Sequence, residues 1–432
     1  MSNTLKWPIV KLSTLAAKDK NAIVGGPFGS DLVSRDYVPE GVPVVRGGNL
    51  PKNSNFSCED FVFVSERKAD SLHLNCAKPG DIVFTQRGTL GQVGIVPKNT
   101  PYSRFLISQS QMKMTVDSSK ANSLYLYYYF RLPSTVSYIE NHALQSGVPH
   151  INLGILRKFD VVCPPPPIQQ KIAAVLSTYD DLIENNNRRI ALLEKMAEEI
   201  YREWFVRLRF PWHEKVKVVK GVPEGWEQVT LAEVARINAH SLKIENESAW
   251  IEYLDISAVS TNQMEPPIKI RIKEAPGRAR RRVNHGDVIW SSVRPGNRAY
   301  CLALNPPENL IVSTGFAVIS PREKVPYTYI YRVVTTDSFV EQMVSVAKGA
   351  AYPATSFDDF GKAKILLPPA NLLKKFHEIC EPLHLAANIY NRQCDSLKLS
   401  RDMLLPRLIS GKLSVENLDI QFPPGMGESI SL

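Results

Sequence analysis

The chain has 432 residues, with 52 Lys and Arg against 43 Asp and Glu for a net charge of +9, and it is 44% hydrophobic and 22% charged. That length predicts two or three domains, each able to bury a core, and the composition excludes a largely disordered chain. No signal-peptide pattern opens MSNTLKWPIVKL, no apolar run approaches the ~20 residues of a membrane span, and the six Cys lie far apart without a C-x-x-C, so the reading is a soluble, cytoplasmic protein without a zinc ribbon, redox motif or disulfide framework.

The first elements are Trp7-x-x-Val10-x-Leu12, then GGPFGS (25–30), which lacks the G-K-[ST] ending of a phosphate-binding loop and reads as a turn. KPGDIVF (78–84) is a turn leading into a β run, followed by the basic loop QRGTLG (86–91). A helical stretch near 122–142 precedes the strand-like FDVVCPPPP (159–167). Then Ile172, Leu176, Tyr179, Ile183, Asn186, Ile190, Leu193, Ala197, Ile200 and Trp204 recur at alternating spacings of 4 and 3, an unbroken heptad seam. Asp180, Asp181, Glu184, Arg188, Arg189, Glu194, Lys195, Glu198 and Glu199 lie between them and read as a solvated face. Tyr201, Trp204 and Phe205 at the end of this helix have two readings: docking a partner, or packing on the adjoining domain.

The pattern then repeats. Trp226-x-x-Val229-x-Leu231 answers the first motif, NHGDVIW (284–290) answers KPGDIVF, and AKILLPP (363–369) answers FDVVCPPPP, in the same order. A second helical stretch falls near 326–346, and a second seam runs through Phe376, Cys380, Leu383, Ala387, Tyr390, Cys394, Leu397, Arg401, Leu404 and Leu408. The prolines before each helix stop it extending backwards, and Pro406 should kink or end the second. Helices of ~35–40 residues would each be ~55 Å long. The predicted organisation is a first globular unit over 1–163, a spacer helix over 164–209, a linker over 210–222, a second unit over 223–367, a second spacer helix over 368–413 and a tail over 414–432. The predicted fold class is α+β in both units, with the two long helices pairing as an antiparallel coiled coil related by a pseudo-twofold axis.

No catalytic or metal-binding constellation stands out. Asn305-Pro306-Pro307-Glu308 has Glu where an amino-methyltransferase has an aromatic, Asp81 and Asp287 each follow a turn glycine, and the eight His are scattered. Positive charge, by contrast, concentrates at corresponding places. Arg271, Lys273, Arg278, Arg280, Arg281, Arg282, Arg294 and Arg298 face only Glu274 and Asp287 in their stretch, and Arg46, Arg87, Lys98 and Arg104 occupy similar segments of the first copy. Arginine on a loop binds phosphate by charge and guanine O6/N7 by its fork. The candidate DNA-binding residues are therefore Arg46, Gln86, Arg87, Thr89, Arg278, Arg280, Arg281, Arg282, Ser292, Arg294 and Arg298, with Arg87 and Arg294 at equivalent loops. Two unlike basic domains suit two unlike half-sites on one duplex. The alternative is a scaffold with two protein-binding domains, its arginines meeting acidic protein.

Together, PPPPIQQKIAAVL (164–176), IYREWFVRLRFP (200–211), GVPEGWEQVTLAEV (221–234), GRARRRVNHGDVIWSSVRP (277–295) and LLPRLISGKLSV (404–415) resemble the specificity subunits of type I restriction–modification systems over nearly the whole chain. The resemblance implies two target-recognition domains reading a bipartite, asymmetric DNA sequence, and paired helices acting as a ruler and as the dock for two modification (methyltransferase) subunits. It also implies restriction (motor–nuclease) subunits as partners, no catalysis in this chain, and S-adenosylmethionine, ATP and magnesium carried by the partners. Both helix starts depart from the family pattern: Ile168-Gln169-Gln170 lacks the Glu, and PPANLLKKF lacks the Glu-Gln.

Overall fold

The computed structural model describes residues 7–51, 54–143, 149–242 and 248–423. It divides into two units, Met1–Asn185 with Ser396–Leu432, and Asn186–Asp395, so that each long helix contributes a segment to each unit.

In the first unit a four-stranded antiparallel sheet has the order Ile23–Gly25, Gln111–Met114, Ile82–Thr85, Val93–Ile95, with Met112 opposite both Gly25 and Phe84. A five-stranded sheet contains one parallel pair, Val42–Val45 beside Phe105–Ile107. The helix Ser123–Phe130 is almost wholly buried, as its run of tyrosines requires. Asn122 caps it by accepting from the Tyr125 N–H at 3.0 Å. Gln169, fully buried at the head of the first long helix (Pro166–Tyr201), ties the pieces together. It accepts the Asn122 N–H at 2.9 Å and donates to the Pro164 carbonyl at 2.7 Å. Trp7, Leu12, Ile172, Leu176, Leu405 and Leu408 share one core. Gly411 closes the second long helix in the left-handed region (φ 72°), and a Cβ there would meet the Trp7 ring at 3.1 Å.

The second unit repeats this plan. Its first sheet runs Ala235–Ile237, Phe316–Pro321, Val288–Ser291, Tyr300–Leu302, the same order as its counterpart. Its second sheet again holds one parallel pair, Trp250–Leu254 beside Leu310–Ser313. Tyr125 donates to the Val162 carbonyl in the first unit, and Tyr329 to the Leu366 carbonyl in the second. Trp226 occupies the core with Tyr201, Phe205 and Phe376, as Trp7 does in the other. The internal repeat read from three short motifs is thus a repeat of topology.

The second long helix runs Ala370–Ile409, passing through Pro382 and ending one turn after Pro406. In both units the seam residues are buried or half-buried, and the two helices run antiparallel: Asp180 meets Arg401 in the first unit, while Asn186 meets Gln393 and Glu194 meets His384 in the second. Here two residues assigned to a solvated face are corrected. Asp180 is nearly buried and accepts from Arg401 and from the Tyr128 hydroxyl. Glu194 is nearly buried and accepts from Arg332 and, at 3.3 Å, from His384. Heptad spacing marks positions flanking a seam as wet, but here the Tyr128 and Arg332 helices cover that flank.

These buried charges set two expectations. Arg401→Ala strands the Asp180 carboxylate and should cost about 3–5 kcal/mol, read by chemical denaturation, whereas Arg401→Met with Asp180→Leu should recover much of that loss. Burial raises the Glu194 carboxyl, but hydrogen bonding to His384 and the charge of Arg332 outweigh it and hold the group at about 2. Burial pushes the His384 imidazole below its usual value despite Glu194. A depressed base favours the unfolded state as protons bind, so stability falls once pH drops below about 6.5. A second loss follows below the ordinary carboxyl range, down to about 2, as Glu194 protonates. Melting temperature measured against pH should show both steps, and His384→Gln should flatten the first.

Candidate nucleic-acid interface

One end of each four-stranded sheet gathers three loops. In the first unit the exit of Ile23–Gly25, the entry of Gln111–Met114 and the exit of Ile82–Thr85 lie side by side because those strands are neighbours. The Gly26 N–H donates to the Gln111 carbonyl at 2.8 Å and the Gln86 N–H to the Ser110 carbonyl at 2.7 Å. Gln109 donates to the carbonyls of Leu32 (2.7 Å) and Gly29 (3.2 Å), fixing the GGPFGS turn. Gly26 must be glycine, since a Cβ would sit 1.9 Å from the Ser108 carbonyl oxygen. The turn holds Phe28 84% exposed, and at its start a Cβ on Gly25 would sit 3.4 Å from the Gln86 Oε1 of the neighbouring loop. Arg87 and Thr89 are exposed and Gln86 half-buried. Arg46 leaves the adjoining sheet next to this end, where Val45 accepts from the Ser108 N–H at 2.9 Å, and its guanidinium donates to the Asp60 carbonyl at 2.9 Å. Arg104 is spent on Asp70 (2.6 Å) and Glu66.

At the same end of the second unit, the turn after Val288–Ser291 carries Arg294 and Arg298, both in the left-handed region at φ 48° and 55°. Arg294 is exposed, its guanidinium 5.3 Å from the Tyr352 ring centroid. Arg298 is paired with Asp337 at 2.6 Å, and Arg278 with Asp255 at 2.6 Å and the Tyr253 hydroxyl at 3.2 Å. These contacts, led by the Tyr253 hydrogen bond, push Arg278 above the usual guanidinium range.

Three expectations need correcting. Ser292 is 6% exposed and donates to the Gly315 carbonyl at 2.8 Å, so it holds the turn and offers nothing outward. Arg280, Arg281 and Arg282 lie on an edge strand, Ala279–Arg282, with a bulge between Ala279 and Arg281. Arg280 donates to the Ala279 carbonyl, Arg281 lies over the Phe357 ring at 5.2 Å and Arg282 donates to the Glu308 carbonyl, so the three do not form one basic loop. Arg87 and Arg294 do lie on equivalent loops, each leaving the matching strand of its sheet, but one position apart: Arg87 bridges to His150 as Val293 does to Ala354, and the next residues are Gly88 (φ 101°) and Arg294. Tyr201 and Phe205 are buried against Tyr329 and Phe376, and Trp204 is half-buried against Phe205 and Phe376, which favours packing over docking. Asp81 and Asp287 serve their turns, accepting from the Lys78 (3.0 Å) and Asn284 (2.7 Å) N–H groups. Phe28, Gln109 and Tyr352 were not among the candidate residues; the glycines flanking Phe28 were the one available signal.

Among the described residues no group of three or more His, Cys, Asp or Glu is placed to hold a metal, and no helix is long and apolar enough to cross a membrane.

Residues 34–195 match the type I restriction modification DNA specificity domain. The chain is similar to the type I restriction enzyme MjaIX specificity subunit of Methanocaldococcus jannaschii, 25% identical over 95% of this chain and 94% of that one. It is also similar to the MjaVIII specificity subunit of the same organism, 22% identical over 73% of this chain and 76% of the other. The crystal structure of a type I restriction-modification S subunit from M. genitalium shares the fold, with a TM-score of 0.56 at 18% identity over 94% of this chain and 97% of that one.

Burial of the aromatic trio predicts a stability effect. Phe205→Ala should destabilise the chain alone by about 3–5 kcal/mol in thermal or denaturant unfolding, before any partner is added.

Proposed function

We propose that this chain is a non-catalytic specificity subunit of a type I restriction–modification system and that it reads a bipartite, asymmetric duplex sequence through the two sheet-end loop clusters. The observation that carries this reading is the pairing of one scaffold with two different loop sets. The strand order is the same in both units, yet one end presents Phe28, Gln86, Arg87 and Thr89 and the other Arg294 and Asn297. Identical scaffolds with unlike polar and cationic tips suit two unlike half-sites. Arg46 at one end supplies charge toward phosphates, whereas Arg278 and Arg298 at the other are each paired with an acid and offer oriented donors more than net charge. The outer faces of the long helices would dock two modification subunits, with restriction subunits joining. S-adenosylmethionine, ATP and magnesium would be carried by those partners, in the cytoplasm.

Selection from a random duplex library, using this chain co-purified with its modification subunit, should enrich two short unlike blocks at a fixed gap. Binding should fall steeply with salt, as phosphate neutralisation demands. No enrichment by a folded complex would shift the reading to a protein-binding scaffold. Removing one heptad from both long helices should change the preferred gap and leave both blocks intact.

A further inference from the structure

Arg294 differs from Arg278 and Arg298, the two other arginines at its sheet end, in how it is held. Arg278 and Arg298 are tied to carboxylates, whereas among the described residues no acid pairs with Arg294. Its restraint is instead an aromatic face and the backbone. The Arg294 N–H donates to the Pro353 carbonyl at 2.7 Å, the Asn297 N–H returns to the Arg294 carbonyl at 2.9 Å, and Val293 bridges Ala354. The residue sits at φ 48°, a conformation costly for any side chain bearing Cβ, at the position where the other unit has Gly88. Strain kept at a solvent-facing turn is a mark of a positioned side chain. The guanidinium lies over Tyr352, itself 57% exposed, so the ring covers a face and leaves the donor edge open. Beside it opens a cavity of about 350 Å³ lined by Pro295, Val344, Ala347, Ala351 and Pro353.

A planar fork with its edge free and an apolar cavity alongside match two neighbouring features of the major groove: the O6/N7 acceptors of guanine and the methyl of thymine. We propose that Arg294 reads a guanine in the half-site of the second unit, that Tyr352 is its positioning residue, and that the cavity takes the methyl group of an adjacent thymine. This rests on the DNA-reading function above and names the bases that one loop reads.

The test uses the complex of this chain with its modification subunit and its own selected duplex. Each guanine is replaced in turn by 7-deazaguanine, which lacks N7, and each thymine by deoxyuridine, which lacks the methyl. One guanine in one block should weaken binding several-fold, less than the roughly 5- to 150-fold span of a whole bidentate contact because O6 remains, and an adjacent thymine should show a smaller loss. Arg294→Gly relieves the backbone strain, so the variant should melt no lower than the parent while no longer distinguishing that guanine. Arg294→Lys, which keeps a donor for O6 and N7 but loses the planar fork, should weaken discrimination at that guanine less than Arg294→Gly and keep the salt dependence. Tyr352→Phe should behave as the parent, and Tyr352→Leu should lower discrimination at that guanine with the salt slope unchanged. If Arg294→Gly still selects every guanine as the parent does, or Tyr352→Leu leaves discrimination intact, the proposal is overturned. If the parent complex selects no duplex at all, the DNA-reading function itself fails.

Discussion

Asp180 and Glu194 are carboxylates taken out of water on one helix, and each is tolerable only because a guanidinium meets it: Arg401 in one unit, Arg332 in the other. A heptad seam of apolar residues does not by itself specify its register, because a slip of seven places one apolar layer on another. A slip here would set Asp180 against Cys394 or Leu408, leaving an unpaired buried charge at a cost of several kcal/mol. The pairings are also unlike. In the first unit the cation comes from the other long helix; in the second it comes from the domain helix Tyr327–Val334, and the other long helix supplies His384. Each segment of the first helix therefore recognises its own surroundings.

The repeat, the long helices and the short helices after each sheet were legible because they depend on local patterns: Gly-Asp turns, proline stops and a 3–4 periodicity. The sheet pairings were not, because strands of three to six residues carry almost no register information of their own, and the parallel pairs join segments far apart in sequence. Asp180 and Glu194 were misplaced for a related reason. Periodicity describes a helix meeting one neighbour, whereas each of these segments is covered from two sides. The aromatic end of the first helix shows the same limit, since Phe205 and Tyr201 point at Tyr329, a residue more than 120 positions later.

The candidate interface was legible by composition and not by geometry. Counting arginines located the segments correctly, but a count cannot separate Arg282, folded onto the Glu308 carbonyl, from Arg294, whose edge is open. Charge becomes a reading device only where a scaffold aims it. The sheet ends do this through adjacency alone: three strands that are neighbours must release or receive their loops at the same place.

The first unit is built from two stretches of chain far apart in sequence, and its core includes Leu405, Leu408, Ile409 and Val415. On the ribosome, its N-terminal part therefore emerges with an apolar face that nothing in the next two hundred or so residues is there to cover. The second unit, contiguous from Asn186 to Asp395, can complete its own contacts first. The unit whose synthesis begins first is thus the last to be finished. A nascent chain stalled or cleaved just after Asp395, partway along the second long helix, would hold one closed unit and one open one, and the open one would be the natural point at which quality control tells a whole chain from a fragment.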